Sequence, residues 1–277
     1  MRYVMVSDIH GCYKKLKAAL LAVDFDPLKD TLVSLGDPFD RGPENFKVLN
    51  YLMSLPNKIL IWGNHDYRLK QLIYGYEEVG VHDYQNGMLT TIQDFTGYNN
   101  ITNIADGIFR LNEFTQCENV KFMLDQYFQS CVFAAEWKDL IATHAWIPVK
   151  RKYEVLERDK WGRPLKSNVT YSMFEDWRSI SEYTWYDATW AHTEEVMDAG
   201  LYPDKQLVVG HWHSWRLWAR EQNLDFKMLT DADLNFNIFY LEDKLIGLDG
   251  CSNASLGKVN AFVYETDEEP ILYKGVE

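Results

Sequence analysis

Tyr3-Val4-Met5-Val6-Ser7-Asp8-Ile9-His10-Gly11 opens the chain with an apolar run that stops on a polar loop carrying a carboxylate and an imidazole. Residues 13–23 follow, with Leu16, Ala19, Leu20 and Val23 spaced along one face of a helix. The stretch therefore reads strand, loop, helix. The reading then repeats. Residues 31–35 form a strand that runs into Gly36-Asp37-Pro38-Phe39-Asp40-Arg41-Gly42, and the spacing predicts a helix over 43–55 with Pro43 near its first turn. A third strand over 58–62 runs into Gly63-Asn64-His65-Asp66. Strands alternating with helices imply βαβ units around a mainly parallel sheet, so the fold class is α/β.

Further strand candidates lie at 131–135, 140–143, 207–209, 237–241, 245–248 and 259–264, and the pair around Glu242-Asp243-Lys244 reads as a hairpin. No internal repeat, low-complexity tract or flexible linker interrupts the chain, so residues 1–277 are expected to form one domain. Two stretches lack a strand pattern. Residues 67–130 read as helical, with turns at Asn86-Gly87 and Asp106-Gly107, and residues 150–204 carry Trp161, Trp177, Trp185 and Trp190. Both are expected to be insertions that shape the active site.

Ligands of an open α/β sheet bind beyond the carboxyl ends of its strands. Asp8, Asp37, Asn64, His144 and His211 each follow a strand candidate within a residue or two. Five segments thus deliver polar side chains to one edge. Of the seven histidines, only His82 and His192 fall outside these segments.

Carboxylate, imidazole and amide groups together suit a hard or borderline divalent ion such as Mn²⁺, Fe²⁺ or Zn²⁺, and no thiolate pattern points to structural zinc. Two neighbouring ions need a shared ligand, and Asp37 is the expected bridge. One ion would take Asp8, His10 and His213, and the other Asn64, His144 and His211. Such a pair makes hydroxide available near neutral pH for attack on phosphorus. His65, with Asp66 or Asp40 holding its ring, is the expected proton donor to the leaving oxygen. Arg41 offers a planar fork for two phosphoryl oxygens, and Asn64 is a further candidate for substrate binding. Plainer roles exist: His213 as a hydrogen-bonded neighbour of the ligands, and Arg41 as a brace for Asp40.

The balance of 28 basic against 41 acidic residues, net −13, works against nucleic-acid polymers and anionic membranes as partners. Cys12, Cys117, Cys131 and Cys251 show no C-x-x-C pair, which fits a reducing, cytoplasmic setting. The first residues are too short an apolar run for a signal-peptide core or a membrane span.

These segments resemble the calcineurin-like metallophosphoesterase superfamily, and most nearly its bacterial and phage serine/threonine phosphatase-like branch, which carries D-x-H-G, G-D-x-x-D-R-G, G-N-H-[E/D] and two later histidines in this order. The likeness is close over about the first 75 residues and looser over 207–264, where Gly247-Leu248-Asp249-Gly250-Cys251 and Lys258-Val259-Asn260-Ala261 resemble the family's closing strands. The resemblance implies a β-sandwich of mixed sheets flanked by helices, a dinuclear site at its edge, and hydrolysis of phosphomonoesters without a phosphoenzyme, with phosphoserine or phosphothreonine proteins as substrates. Three departures stand out. Asp66 replaces the glutamate usual in phosphoprotein phosphatases, as in dinucleoside tetraphosphate hydrolases, which brings in a symmetrical dinucleoside polyphosphate hydrolase as the second reading. Ala145-Trp146 follows His144 in place of glycines. Trp190-Ala191-His192 stands where the family often has Trp-x-Arg, so His192, or Arg178 from elsewhere, is the candidate for a second phosphate contact. A degenerate, non-catalytic scaffold is the reading of a different class, and the full complement of ligand and donor residues argues against it.

Overall fold

A computed structural model describes residues 1–98, 103–114, 118–158 and 164–276. The chain begins as β1 (Arg2–Val6), α1 (Tyr13–Ala22), β2 (Thr31–Ser34), α2 (Asn45–Ser54), β3 (Lys58–Ile61) and α3 (Asn64–Ile73). Strands β1, β2 and β3 are parallel neighbours, as the repeated strand-loop-helix reading requires. The helix begins two residues later than the spacing predicts, with Pro43 just ahead of its Glu44 cap.

The helical insertion follows as α4 (Val81–Gln85), α5 (Met88–Thr96), α6 (Ile104–Phe114) and α7 (Glu118–Ser130). Gly87, at φ 84°, makes the turn between α4 and α5 that Asn86-Gly87 predicts. The second predicted turn is corrected: Asp106-Gly107 lies inside α6. Asn103 caps that helix, its Oδ1 accepting from the Asp106 amide at 3.0 Å, so the aspartate marks a helix start.

The apolar run at 131–135 divides. β4 (Cys131–Val132) pairs with β3, Phe133 crosses over, and β5 (Ala134–Glu136) joins a second sheet. Hydrophobicity alone carries no mark of this switch, because both halves are buried. β6 (Leu140–Thr143) comes next.

Residues 150–204 depart most from the sequence expectation. They are not free of strands but begin with a long antiparallel hairpin, β7 (Val149–Arg158) and β8 (Pro164–Met173). Lys150 to Glu154 of β7 are exposed, whereas Asn168 to Met173 of β8 alternate, with Val169, Tyr171 and Met173 half-buried, a run too short to stand out among its charged neighbours. Trp161 lies outside the described residues. Helices α8 (Glu182–Ala188) and α9 (Thr193–Asp198) complete the segment.

β9 (Gln206–Val209), α10 (Ser214–Glu221), β10 (Phe239–Leu241), β11 (Leu245–Gly247), β12 (Ala261–Glu265) and β13 (Ile271–Tyr273) finish the chain. The predicted hairpin is β10–β11, and β13, which the sequence reading missed, forms an antiparallel edge on β5. The two main sheets run β12-β1-β2-β3-β4 and β10-β11-β9-β6-β5-β13.

Tyr3, Met5, Val33 and Ile61 from one sheet meet Ala135, Ala142, Val208 and Ile246 from the other in one buried cluster, making a sandwich. The alternate residues Val4, Val6, Leu32 and Leu60 pack with the helices in the larger core. Both faces of these strands are covered, which is why they read as continuous apolar runs. Parallel triplets, β1-β2-β3 and β6-β9-β11, therefore end side by side at one edge of the sandwich. Among the described residues no helix is long and apolar enough to cross a membrane.

Candidate metal centre and active site

The loops that leave those strand ends are held tightly. A Cβ on Gly36 would stand 2.7 Å from Nδ1 of His144 and collide with the backbone of Gly63, so glycine is required where the β2 and β3 loops pass. Asp8, His10, Asp37, Asp40, Arg41 and His211 all adopt left-handed backbone, with φ between 45° and 72°. These are six of the ten non-glycine residues in that conformation among the described residues. Each costs about 1–3 kcal/mol unless its surroundings enforce it, and such strain gathers where function fixes a side chain's direction.

Three imidazoles are anchored the same way. Nδ1 of His10 donates to Phe39 O at 2.7 Å, Nδ1 of His144 to Leu35 O at 2.7 Å, and Nδ1 of His65 to Oδ2 of Asp40 at 2.6 Å. Each Nε2 then faces the centre. Oδ2 of Asp37 lies 3.9 Å from Nε2 of His10, 3.9 Å from that of His65 and 3.5 Å from that of His144. The other oxygen of Asp37 accepts the His65 amide at 3.0 Å, at the positive N-terminus of α3.

Two groups of side chains among the described residues could each hold a metal ion: His10, Asp37 and His65, and Asp37, His144 and His211. Asp37 belongs to both. Oδ1 of Asn64 faces Nε2 of His144 at 2.9 Å, and Oδ1 of Asp8 lies 3.9 Å from Nε2 of His10. The donor set fits two divalent ions: imidazole nitrogens and carboxylate or amide oxygens converge with no thiolate among them. Burial, the Arg41 charge and the neighbouring His65 hold His10 well below the usual imidazole range, and burial with His144 does the same for His211, which keeps both in the neutral, ligating form. Asp8 is pushed up by burial and by the charges of Asp249 and Asp37, a crowding of carboxylates that a cation relieves.

His213 is not brought into either group. Its Nδ1 donates to Oδ2 of Asp249 at 2.8 Å, its Nε2 stands 3.6 Å from Cys251 Sγ, and Asp249 more than offsets burial to raise it to about 10. The alternative of a hydrogen-bonded neighbour describes this geometry.

Of the two carboxylates expected to hold the His65 ring, Asp40 does so. Asp66 is turned away: it accepts from the Gly63 amide at 2.8 Å and from the Tyr127 hydroxyl at 2.7 Å, bracing the β3 loop. Burial and the Asp37 charge raise Asp66 to about 7. His65, which burial would lower, is raised by the charges of Asp37 and Asp40. Arg41 reaches both rings, Nη1 standing 2.8 Å from Nε2 of His10 and Nη2 3.1 Å from Nε2 of His65.

His192 is exposed, 3.9 Å from Glu195 and beside the Trp212 ring, and is outside both groups. Arg178, the other candidate for the second phosphate contact, is engaged elsewhere. It forms a two-pronged pair with Glu136 at 2.8 and 2.7 Å. Glu136 is the register partner of Ile141, on the side of β6 away from His144.

The sequence reading missed the supports. Thr91 of α5 donates to Oδ1 of Asp40 at 2.5 Å, and Gly87 O accepts the Arg41 amide at 3.2 Å, so the helical insertion positions the Asp40-Arg41 loop. Tyr127 and Asp249 act similarly on Asp66 and His213. Of these, only Gly87, in a turn the sequence predicts, and Asp249, within a segment already singled out, carried any sequence signal.

The calcineurin-like phosphoesterase family profile matches residues 1–215. The chain is 46% identical over 70 residues to a symmetrical bis(5'-nucleosyl)-tetraphosphatase of Photorhabdus laumondii subsp. laumondii, covering 25% of this chain and 26% of the relative. It is 39% identical over 90 residues to a protein of the same description from Hamiltonella defensa subsp. Acyrthosiphon pisum, covering 32% of this chain and 33% of the relative. The chain thus matches only about a quarter to a third of the length of these relatives. A crystal structure described as a putative diadenosine tetraphosphatase superposes with a TM-score of 0.51 at 18% identity, covering 99% of this chain and 94% of the other, a likeness of fold.

Proposed function

This chain belongs to the calcineurin-like phosphoesterase family and is a hydrolase of phosphoester bonds, and from that premise we propose that it cleaves dinucleoside polyphosphates symmetrically at a dinuclear centre. The reading rests on the likeness to two symmetrical tetraphosphatases, which shifts the substrate away from the phosphoserine and phosphothreonine proteins expected first. Asp66 in place of glutamate agrees with it. We take residues 1–277 to act as one unit, and the free thiols of Cys12, Cys131 and Cys251 suit a reducing, cytoplasmic compartment.

The single observation that carries the chemistry is Oδ2 of Asp37 at the meeting point of three imidazole Nε2 atoms. Asp37 would be shared by two ions, with Asp8 and His10 on one side and Asn64, His144 and His211 on the other; His213 would orient the first set through Asp249. Manganese is our choice of metal for this nitrogen and oxygen donor set. When bound, the ions supply Lewis-acid activation of water and of the phosphoryl oxygens.

The chain's own residues do the rest. Arg41 grips two phosphoryl oxygens with its fork. His65, its Nδ1 fixed on Asp40, hands the Nε2 proton to the departing oxygen. Water thereby adds across the central P–O–P bridge, hydroxyl to one phosphorus and proton to the other fragment, giving two nucleoside diphosphates.

The test is a parallel assay of metal-stripped, Mn²⁺-reloaded protein on p-nitrophenyl phosphate, a phosphoserine peptide and diadenosine tetraphosphate, with products identified. ADP as the sole nucleotide product is expected. Preference for the peptide would return the protein to the phosphoprotein class, and inactivity on all three would favour a scaffold.

A further inference from the structure

A cavity of about 720 Å³ lies between the β7–β8 hairpin and α8. Its wall includes Lys150, Arg151, Tyr171, Phe174, Asp187 and Trp190, none of them a ligand candidate. Trp190 also lines the crevice that holds Asn64 and His65, and its ring stands edge-on to His211 at 6.5 Å. One indole is therefore the shared wall between the metal-ligand cluster and the cavity.

The chemistry of that wall is specific. Lys150 Nζ lies 5.1 Å over the Phe174 ring, and Arg151 is the cross-strand register partner of Tyr171. Asp187 of α8 lines the same cavity, and Tyr171 donates to Glu195. Aromatic faces, two cations and a carboxylate together match a ligand with a flat base, hydroxyls and a phosphate chain. The size falls within the range of small-molecule sites, about 300–1,000 Å³. Another cavity, about 530 Å³ and lined by Ala18, Ala22, Tyr240 and Lys258, holds none of the ligand candidates and shares no wall residue with them.

We propose that this cavity is the subsite for the nucleoside and distal phosphates of a nucleotide substrate. Trp190 packs against the base as it leaves the metal centre, Lys150 and Arg151 hold phosphate oxygens beyond the cleaved bond, and Asp187 accepts from ribose hydroxyls. The proposal rests on the nucleotide reading above and assigns the hairpin as the determinant of specificity.

Its test uses inhibition of p-nitrophenyl phosphate hydrolysis by the Mn²⁺-loaded full chain. ADP should inhibit at concentrations about tenfold lower than inorganic phosphate, which needs only the metal centre. The double variant Lys150→Ala/Arg151→Ala, altered on exposed strand positions, should raise the ADP inhibition constant about tenfold or more, the scale of lost charged hydrogen bonds. It should also raise KM for diadenosine tetraphosphate by a larger factor than KM for p-nitrophenyl phosphate. ADP no stronger than phosphate in the unaltered protein, or an ADP constant unmoved in the variant, would overturn the subsite. Should the unaltered protein leave diadenosine tetraphosphate uncut while ADP still binds through Lys150 and Arg151, the function above fails and the subsite stands.

Discussion

Nδ1 of His65 and Oδ2 of Asp40 are 2.6 Å apart, and the second oxygen of Asp40 is occupied by Thr91 at 2.5 Å. The chain of contacts fixes one imidazole face on a carboxylate and leaves the other toward the reacting centre. It also spans elements 51 residues apart, since Thr91 comes from the helical insertion.

His65→Asn should lower turnover by about 10²-fold or more, the scale of a lost general acid, with metal content unchanged. Metal analysis alongside kinetics checks this. Loss of an ion in that variant would make His65 a ligand, as its place beside His10 and Asp37 permits.

Asp40→Asn tests the pH dependence. The charges of Asp37 and Asp40 raise His65 against its burial, so His65 keeps its proton to higher pH than a free imidazole. Removing the Asp40 charge lowers the His65 pKa, and activity that needs the protonated ring is then lost at lower pH. The alkaline limb of the kcat profile should move to lower pH in the variant; an unmoved limb would assign that limb to another group.

Asp37→Asn should empty at least one metal position, because the same oxygen serves both groups of ligands. The measurement is metal content per chain by elemental analysis after equilibration with Mn²⁺. A fully loaded, active variant would remove Asp37 from the bridging role.

The strand ends and their ligand residues were legible because each strand is buried on both faces and stops on a polar loop, a pattern visible in 3–8, 31–37 and 58–64. What stayed hidden follows from contacts without a local signature. The β4–β5 switch lies inside one apolar run, and Phe133 looks no different from its neighbours. The β7–β8 hairpin half-buries Val169, Tyr171 and Met173 on one face of β8, so only the short run Asn168 to Met173 alternates, set beside exposed charged residues of β7. Thr91 and Tyr127 act on residues far away in sequence, as does Gly87, which accepts from Arg41 through its carbonyl. The choice between Asp40 and Asp66 as partner of His65 was open in sequence because both are close to it, and the α3 start decided it: Asp66 sits one turn into the helix and bonds back to the Gly63 amide.

Arg178 and Glu136 offer a test of stability apart from the active site. Glu136, whose burial would raise it, is lowered to about 2 by hydrogen bonds from Arg178, Lys205 and Tyr273. The sign follows: a carboxylate depressed in the folded state contributes stability that is complete above its unfolded value near 4.5 and is lost as pH falls toward about 2. The side chain is only 4% exposed, so screening by solvent is limited, and the contribution at neutral pH is about 2–3 kcal/mol. Glu136→Gln should therefore lower Tm by roughly 3–5 °C at pH 7. The gap between variant and unaltered protein should narrow as pH drops from about 4.5 to 2. Thermal unfolding of metal-free protein across that range measures it without interference from metal release. A gap of equal size at pH 7 and pH 3 would mean that Glu136 acts through packing alone, and the charged pair at the far end of β6 would then carry no pH-dependent stability.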